Sequence, residues 1–313
     1  MANRSILIGL LAGLAAGLLV TATVTTMPLV FFLPFVAAGV IYIATMGWGF
    51  QAGIASVLAG TGTIGMLTEV PTAVASSAML FIPAAWVGHL ANLGQADAEA
   101  EGGIRWYPLG TILFHLMAIL VVVFITIGAL GGVTEEALVN SFKQLFSEVM
   151  RQRPDMSGLT PEVIETQARA YATVIPLVAP GVWLLMHVLT AFAAAAITRR
   201  SGILARERED IAASVALPPQ AAGFLVAGLV GMLVLSGSVA LAGAVMLGIA
   251  ICGYGLIGLA QLHFKLRGNP AAFLVLTIAY GSIILLAFPF IVFTIMGLLR
   301  SFSQQARNTP GHS

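Results

Sequence analysis

The sequence predicts an all-α, polytopic transmembrane helical bundle of about eight to nine spans with a short amphipathic helical extracytoplasmic insert. Composition carries the class. Of 313 residues, 59% are hydrophobic and only 9% are charged, whereas a soluble domain carries about 25% charged residues. Mean hydropathy is +0.99. Apolar runs recur along the chain at the length of about 20 residues that a helix needs to cross the hydrocarbon core.

The first run, "MANRSILIGLLAGLAAGLLV", has the charge order of a signal peptide. Further apolar runs follow at once, so even cleavage leaves a multi-pass protein. A first transmembrane helix with Arg4 held in the cytoplasm is the better reading. Spans are expected near 5–25, 28–46, 48–67, 70–92, 107–131, 173–197, 219–236, 238–262 and 271–298. The run at 48–67 is Gly-rich and that at 219–236 is short. Pro289, in "AFPF", kinks or shortens the last one. The whole chain, 1–313, reads as one integral membrane domain.

Short basic loops mark the cytoplasmic side. The loop 198–218 carries Arg199, Arg200, Arg206 and Arg208, and the loop 263–270 carries Lys265 and Arg267. Nine spans put both on one side with Arg4 and Arg105. They also put the C-terminal tail, with Arg300 and Arg307, outside, against the rule. The arginines of the 198–218 loop face either anionic lipid headgroups or their own neighbours Glu207, Glu209 and Asp210.

The polar insert spans 132–172. Leu138, Phe142, Leu145, Phe146 and Val149 repeat at helical spacing on one side. Glu135 and Glu136 fall in the first turn, where the helix dipole favours anions. Thr160 and Pro161 mark a second helix start. Two short helices are expected on the outer face, either as a packed loop or as a lid over a cavity.

Candidate functional residues are few. Net charge is +1, so no basic surface points to nucleic acid. Cys252 is the sole cysteine, which leaves no disulfide, Cys-based zinc site or iron–sulfur cluster within one chain. Charges inside spans are costly and mark function when present, yet before Asp97 the only charged residues are Arg4 and Glu69, and no carboxylate follows Asp210. Glu69 lies at a turn between spans, as an interfacial residue or a contact at the outer mouth. His187 lies near the middle of a span with Trp183 one turn away. It is either a satisfied interhelical contact or a cavity wall. His115 lies two turns into its span. His89, beside Trp86, suits the membrane interface. Convergence of His89, His115 and His187 on a metal has no motif behind it. No metalloprotease, nucleophile-elbow or P-loop signature is present, so neither an enzyme nor a cofactor is expected.

Glycine supplies the clearest pattern. Gly9, Gly13 and Gly17 form one stripe, with Ala12 and Ala16 beside it. Such faces let helices approach closely, and the partner is another helix of this chain or a second subunit. "GYGLIG", 253–258, matches the dinucleotide pattern G-x-G-x-x-G. It lies inside a membrane-length apolar run with no acidic residue downstream, so the nucleotide reading fails. Gly248, Cys252 and Gly255 instead form a narrow packing stripe, which predicts the tightest helix crossing in the protein.

The layout resembles the YybS-like family of bacterial membrane proteins of unknown function. Gly-rich spans come first, then an extracytoplasmic insert, a basic loop leading into "LPPQAAGF", and a late helix ending "GLAQLHFKLRG". That family is similar to the substrate-binding subunits of energy-coupling-factor transporters, which dock through small residues on the first helix. The resemblance implies a bacterial plasma-membrane protein that binds or transports an unknown small molecule. It also implies a possible partner subunit or ATPase module docking at Gly9, Gly13 and Gly17. The chain is longer than those six-helix subunits and carries no vitamin-specific signature. A membrane scaffold or regulator is the alternative.

Overall fold

The computed structural model describes residues 2–25, 32–152, 160–286 and 288–308. It is almost entirely helical. The helices are α1 (Ala2–Thr25), α2 (Leu33–Trp48), α3 (Phe50–Leu67), α4 (Val70–Ser76), α5 (Ile82–Ala91), α6 (Leu109–Leu130) and α7 (Glu135–Gln152). They continue with α8 (Pro161–Arg200), α9 (Ile211–Ser214), α10 (Ala221–Val234), α11 (Gly237–Lys265), α12 (Ala272–Leu286) and α13 (Phe290–Asn308). A π-helical turn, Ser77–Phe81, joins α4 to α5. The one sheet among the described residues is a small antiparallel hairpin of β1 (Gly94–Ala96) and β2 (Ile104–Trp106), placed between α5 and α6.

Six of these segments are long and apolar enough to cross a bilayer, or seven if the bent α12–α13 pair counts as one. This is a multi-pass membrane protein, and lipid is its environment. Among the described residues the expected count of eight to nine spans is not confirmed. The segments expected at 28–46 and 219–236 form α2 and α10, with 16 and 14 residues, or about 24 and 21 Å at 1.5 Å per residue against a core of about 30 Å. Residues 28–31 of the expected second span lie outside the described residues. So do 153–159 of the polar insert and the tail beyond 308, and nothing is described of the Arg307 side chain.

The chain divides into two compact units, one of Met1–Leu120, Leu184–Pro218 and Gly253–Ser313, the other of Val121–Trp183 and Pro219–Cys252. In the first unit α1 lies parallel to α3 along the glycine stripe. A Cβ at Gly9 would fall 2.3 Å from the Ala52 carbonyl oxygen, one at Gly13 2.2 Å from that of Ser56, and one at Gly17 2.8 Å from that of Gly60. The matched four-residue steps are the small-residue contact that membrane helices use in place of a hydrophobic driving force. Gly49 alone separates α2 from α3. Its φ of +86° is a backbone region open to glycine and strained for other residues.

The same unit corrects the expected position of the C-terminal region. α12 and α13 are bent by 119° at their break. Ala279 of α12 packs with Leu259 of α11 and Phe293 of α13, and the Tyr280 ring is 5.9 Å from that of His263. α12 therefore runs back along α11. α13 then runs forward beside it, because Phe290 meets Gly255 and Phe293 meets Gly258. Arg300 consequently returns to the end that holds the 201–218 loop, where its Nε donates to the Val215 carbonyl at 3.1 Å. A straight last span would have carried Arg300 to the opposite side. The break at Pro289 reverses the chain instead, since proline supplies no N–H to continue a helix.

In the second unit α7 packs on the N-terminal part of α8. Val139, Ala168 and Ala172 form the core, flanked by Leu138, Phe142 and Phe146. Thr134 begins α7 by accepting a hydrogen bond from the Ala137 N–H. The expected pair of short helices is corrected here: the second is the start of α8, a 40-residue helix with Pro176 and Pro180 inside it. Its polar first turns were legible as a separate helix because hydropathy rises only after Tyr171.

Candidate functional site

His187 is fully buried in the first unit. Its Nε2 lies 2.9 Å from the Met79 carbonyl oxygen, and its Nδ1 lies 3.3 Å from the Tyr42 hydroxyl. A carbonyl only accepts, so Nε2 carries the proton and donates to Met79. Nδ1 is then the acceptor, and Tyr42 donates to it. The edge of Phe35, 5.9 Å away between ring centroids, closes another side of the imidazole. Both ring nitrogens are satisfied within the protein, as an ionisable group in a membrane requires.

In an α-helix the Met79 carbonyl would accept from the N–H four residues on. That residue is Pro83, which has none. Met79 lies within the π-turn at 77–81, and His187 of α8 donates to its carbonyl. π-turns of this kind occur mostly as single-turn insertions within helices, frequently at functional sites.

His89 and His115 share a neighbour in Trp86. Trp183 packs edge-on against Phe124, with centroids 6.3 Å apart at 86°. His115 Nε2 is hydrogen-bonded to the Tyr107 hydroxyl at 3.1 Å, and its ring lies 6.1 Å from that of Trp86. His89 stacks on Phe50 at 4.2 Å and also flanks Trp86. The described residues contain no His, Cys, Asp or Glu group arranged to hold a metal. Glu69 is exposed at the N-cap position of α4 without a side-chain cap, and its backbone carbonyl accepts from Ala73.

Gly248 and Gly255 do not share a partner. Gly248 faces α8, where a Cβ would fall 1.8 Å from the Leu177 carbonyl oxygen, while Gly255 faces the Phe290 ring of α13 at 2.2 Å. The closest α11–α13 backbone approaches are at Gly258 and Gly297 instead, where the carbonyl oxygens of Phe293 and Tyr254 lie 1.9 Å from a Cβ. The three glycines of GYGLIG thus meet α6 and α13: Gly253 faces Met117, Gly255 faces Phe290 and Gly258 faces Phe293.

Arginines that the sequence reading named only as charges, with Ser301 and Asn92, which it did not name, tie down the basic end. Arg206 is buried. It donates to Glu209 at 2.8 Å and to the Tyr107 carbonyl at 2.8 Å, and its guanidinium lies 5.9 Å from the centre of the Trp106 ring. Arg300, also buried, donates to the Ala213 and Val215 carbonyls. Ser301 Oγ accepts from the Leu217 N–H at 3.2 Å. Asn92 Nδ2 donates to the Thr45 and Met46 carbonyls at the end of α2. Arg267 pairs with Asp210 through two hydrogen bonds, and this guanidinium holds the Asp210 carboxyl below the usual carboxylate range. Of the two settings expected for the loop arginines, Arg206 takes the one within the protein. An arginine with two carbonyls to bridge could have been suspected only from knowing which helix ends meet.

In the second unit Lys143 and Arg169 both bind Glu165. Beside them a cleft of about 390 Å³ is lined by Glu135, Glu136, Val139 and Asn140. Compared with known protein families, curated proteins and solved structures, the chain matches none.

Proposed function

We propose that the chain is a multi-pass protein of the bacterial plasma membrane that binds or moves a small molecule within its helices. The observation that supports this is the broken α12–α13 pair. Gly255, which meets Phe290, lies ten residues before the end of α11, so α13 begins about 15 Å from the basic end at 1.5 Å per residue. That is about mid-membrane. Irregular backbone at such depth is tolerated where protein covers it or where it lines a watery cavity, and paired half-helices form the binding sites of many transporters. On this reading the basic end faces the cytoplasm, and the resemblance to the YybS-like family supplies the expectation of a partner subunit or ATPase module.

The second reading, a membrane scaffold or regulator, draws on His187. The residue best placed to line a cavity has its ring nitrogens occupied by protein groups, as in a bundle packed for rigidity. The glycine stripe on α1 is likewise engaged by α3, so docking on this reading uses another face.

Gentle solubilisation followed by native mass spectrometry separates the two. A recurrent small molecule on the intact chain supports binding, and a co-purifying ATPase supports energy-coupled transport. An unrelated membrane protein with no metabolite on repeated preparations would reject the transport reading in favour of the scaffold.

A further inference from the structure

We infer that Arg199 and Arg200, at the end of α8, hold the phosphate of an anionic phospholipid whose acyl chains lie along α8. This holds whether the protein transports or scaffolds. The Arg199 Nε is the one buried side-chain nitrogen or oxygen without a hydrogen-bond partner among the described residues. Leaving such a group unpaired is costly, and native proteins give nearly every one an acceptor. Neighbouring acceptors are engaged elsewhere. Of the carboxylates in the 201–218 loop, Glu209 pairs with Arg206 and Asp210 with Arg267, while Glu207 Oε1 lies over Gly102 in the hairpin turn. The end of α8 needs no cation either. The N–H groups of Ser201, Gly202 and Ile203 donate to the Ile197, Arg199 and Thr198 carbonyls, with Gly202 in the left-handed region that closes a helix.

The surroundings point to a lipid rather than a free anion. The apolar stretch of α8 that follows Tyr171 runs to Ile197, so Arg199 and Arg200 stand just past it, at headgroup level. Leu189, Phe192 and Ile197 each expose more than half of their surface. At about 100° per residue, Arg200 falls between Phe192 and Ile197 around the helix, and Arg199 falls within about 20° of Phe192. Both side chains therefore rise from an apolar stripe that lipid covers. Arg200 is exposed and free to close on the same headgroup. A guanidinium meets phosphate oxygens through two parallel N–H bonds, and such a fork gives the Arg199 Nε its acceptor. Two cations with no facing carboxylate favour a headgroup of net negative charge, such as phosphatidylglycerol, over a zwitterionic one.

The test titrates the full chain, purified in a neutral detergent, with phosphatidylglycerol or phosphatidylcholine of equal chain length, and counts bound lipid by native mass spectrometry. On the unmodified chain the first phosphatidylglycerol should bind about thirtyfold more tightly than the first phosphatidylcholine, at about fivefold per arginine. Arg199→Gln combined with Arg200→Gln should remove that preference. Arg208→Gln, at an exposed arginine off the α8 stripe, should leave it in place. Millimolar inorganic phosphate should not displace the lipid. Equal affinity for the two lipids on the unmodified chain would overturn the inference without any variant. So would a double variant that keeps the preference, an Arg208→Gln loss as large as that of the double variant, or full displacement by inorganic phosphate, which would make this a site for a free anion. If the double variant fails to fold, Arg199→Gln alone decides: it should lose about fivefold in phosphatidylglycerol affinity, and unchanged affinity rejects the site.

Discussion

Gly258→Ala adds a single methyl group where α11 and α13 touch. The Phe293 carbonyl oxygen lies 1.9 Å from the position of the new Cβ. Ordinary non-bonded contact is about 3.5 Å, so α13 must retreat by about 1.6 Å, and a gap of even 1 Å forfeits up to about half of the dispersion energy across the contact. Overpacking of a well-filled interior costs roughly 1–3 kcal/mol, and a rigid carbonyl puts this site at the upper end, about 3 kcal/mol. Gly255→Ala is the internal control. Its new methyl meets the tip of the Phe290 ring, which can swing aside, so the loss should be closer to 1 kcal/mol. Thermal unfolding in detergent, followed by the fraction of monodisperse protein, measures both. Gly258→Ala should melt well below Gly255→Ala, and Phe290→Leu should relieve only the second. If Gly258→Ala melts with the unmodified protein, or above Gly255→Ala, the close α11–α13 packing is wrong.

Arg206→Ala removes the donor shared by Glu209 and the Tyr107 carbonyl, and breaking such a buried pair should cost about 3 kcal/mol; thermal unfolding checks it, with Arg208→Ala, at an exposed neighbour, as the near-neutral comparison. Asp210 has a carboxyl held below its unfolded value by Arg267, so its contribution is present above the unfolded carboxylate value of about 3.9 and is lost as pH falls through the lower folded value. Asp210→Asn should therefore flatten the acid limb of the stability profile and leave its neutral region's slope unchanged. Topology can be read by labelling single cysteines in a Cys252→Ala background. Cysteines at the exposed positions Ser201 and Ser303 should react from the same side of the membrane, whereas labelling from opposite sides would mean that α12–α13 crosses rather than returns.

Hydropathy measures the length of an apolar run but carries no direction, and this decides which features were legible. The helical class and the close-packing role of Gly9, Gly13 and Gly17 follow from composition and four-residue spacing, because both act within a single helix. The α12–α13 pair does not, since 15 and 19 residues joined through Pro289 have the same hydropathy as one long span whether the chain continues or turns back. The Lys and Arg distribution held the missing information: Arg300 conflicted with a nine-span topology, and the reversal at Pro289 removes the conflict by changing the path rather than the number of apolar runs. His187 shows the complementary limit. Its burial and its need for partners follow from its place in an apolar run, but the identity of those partners, the Met79 carbonyl and the Tyr42 hydroxyl, depends on residues a hundred or more positions away. A lone histidine in an apolar run therefore poses a question about other helices: which of their groups occupy its two ring nitrogens.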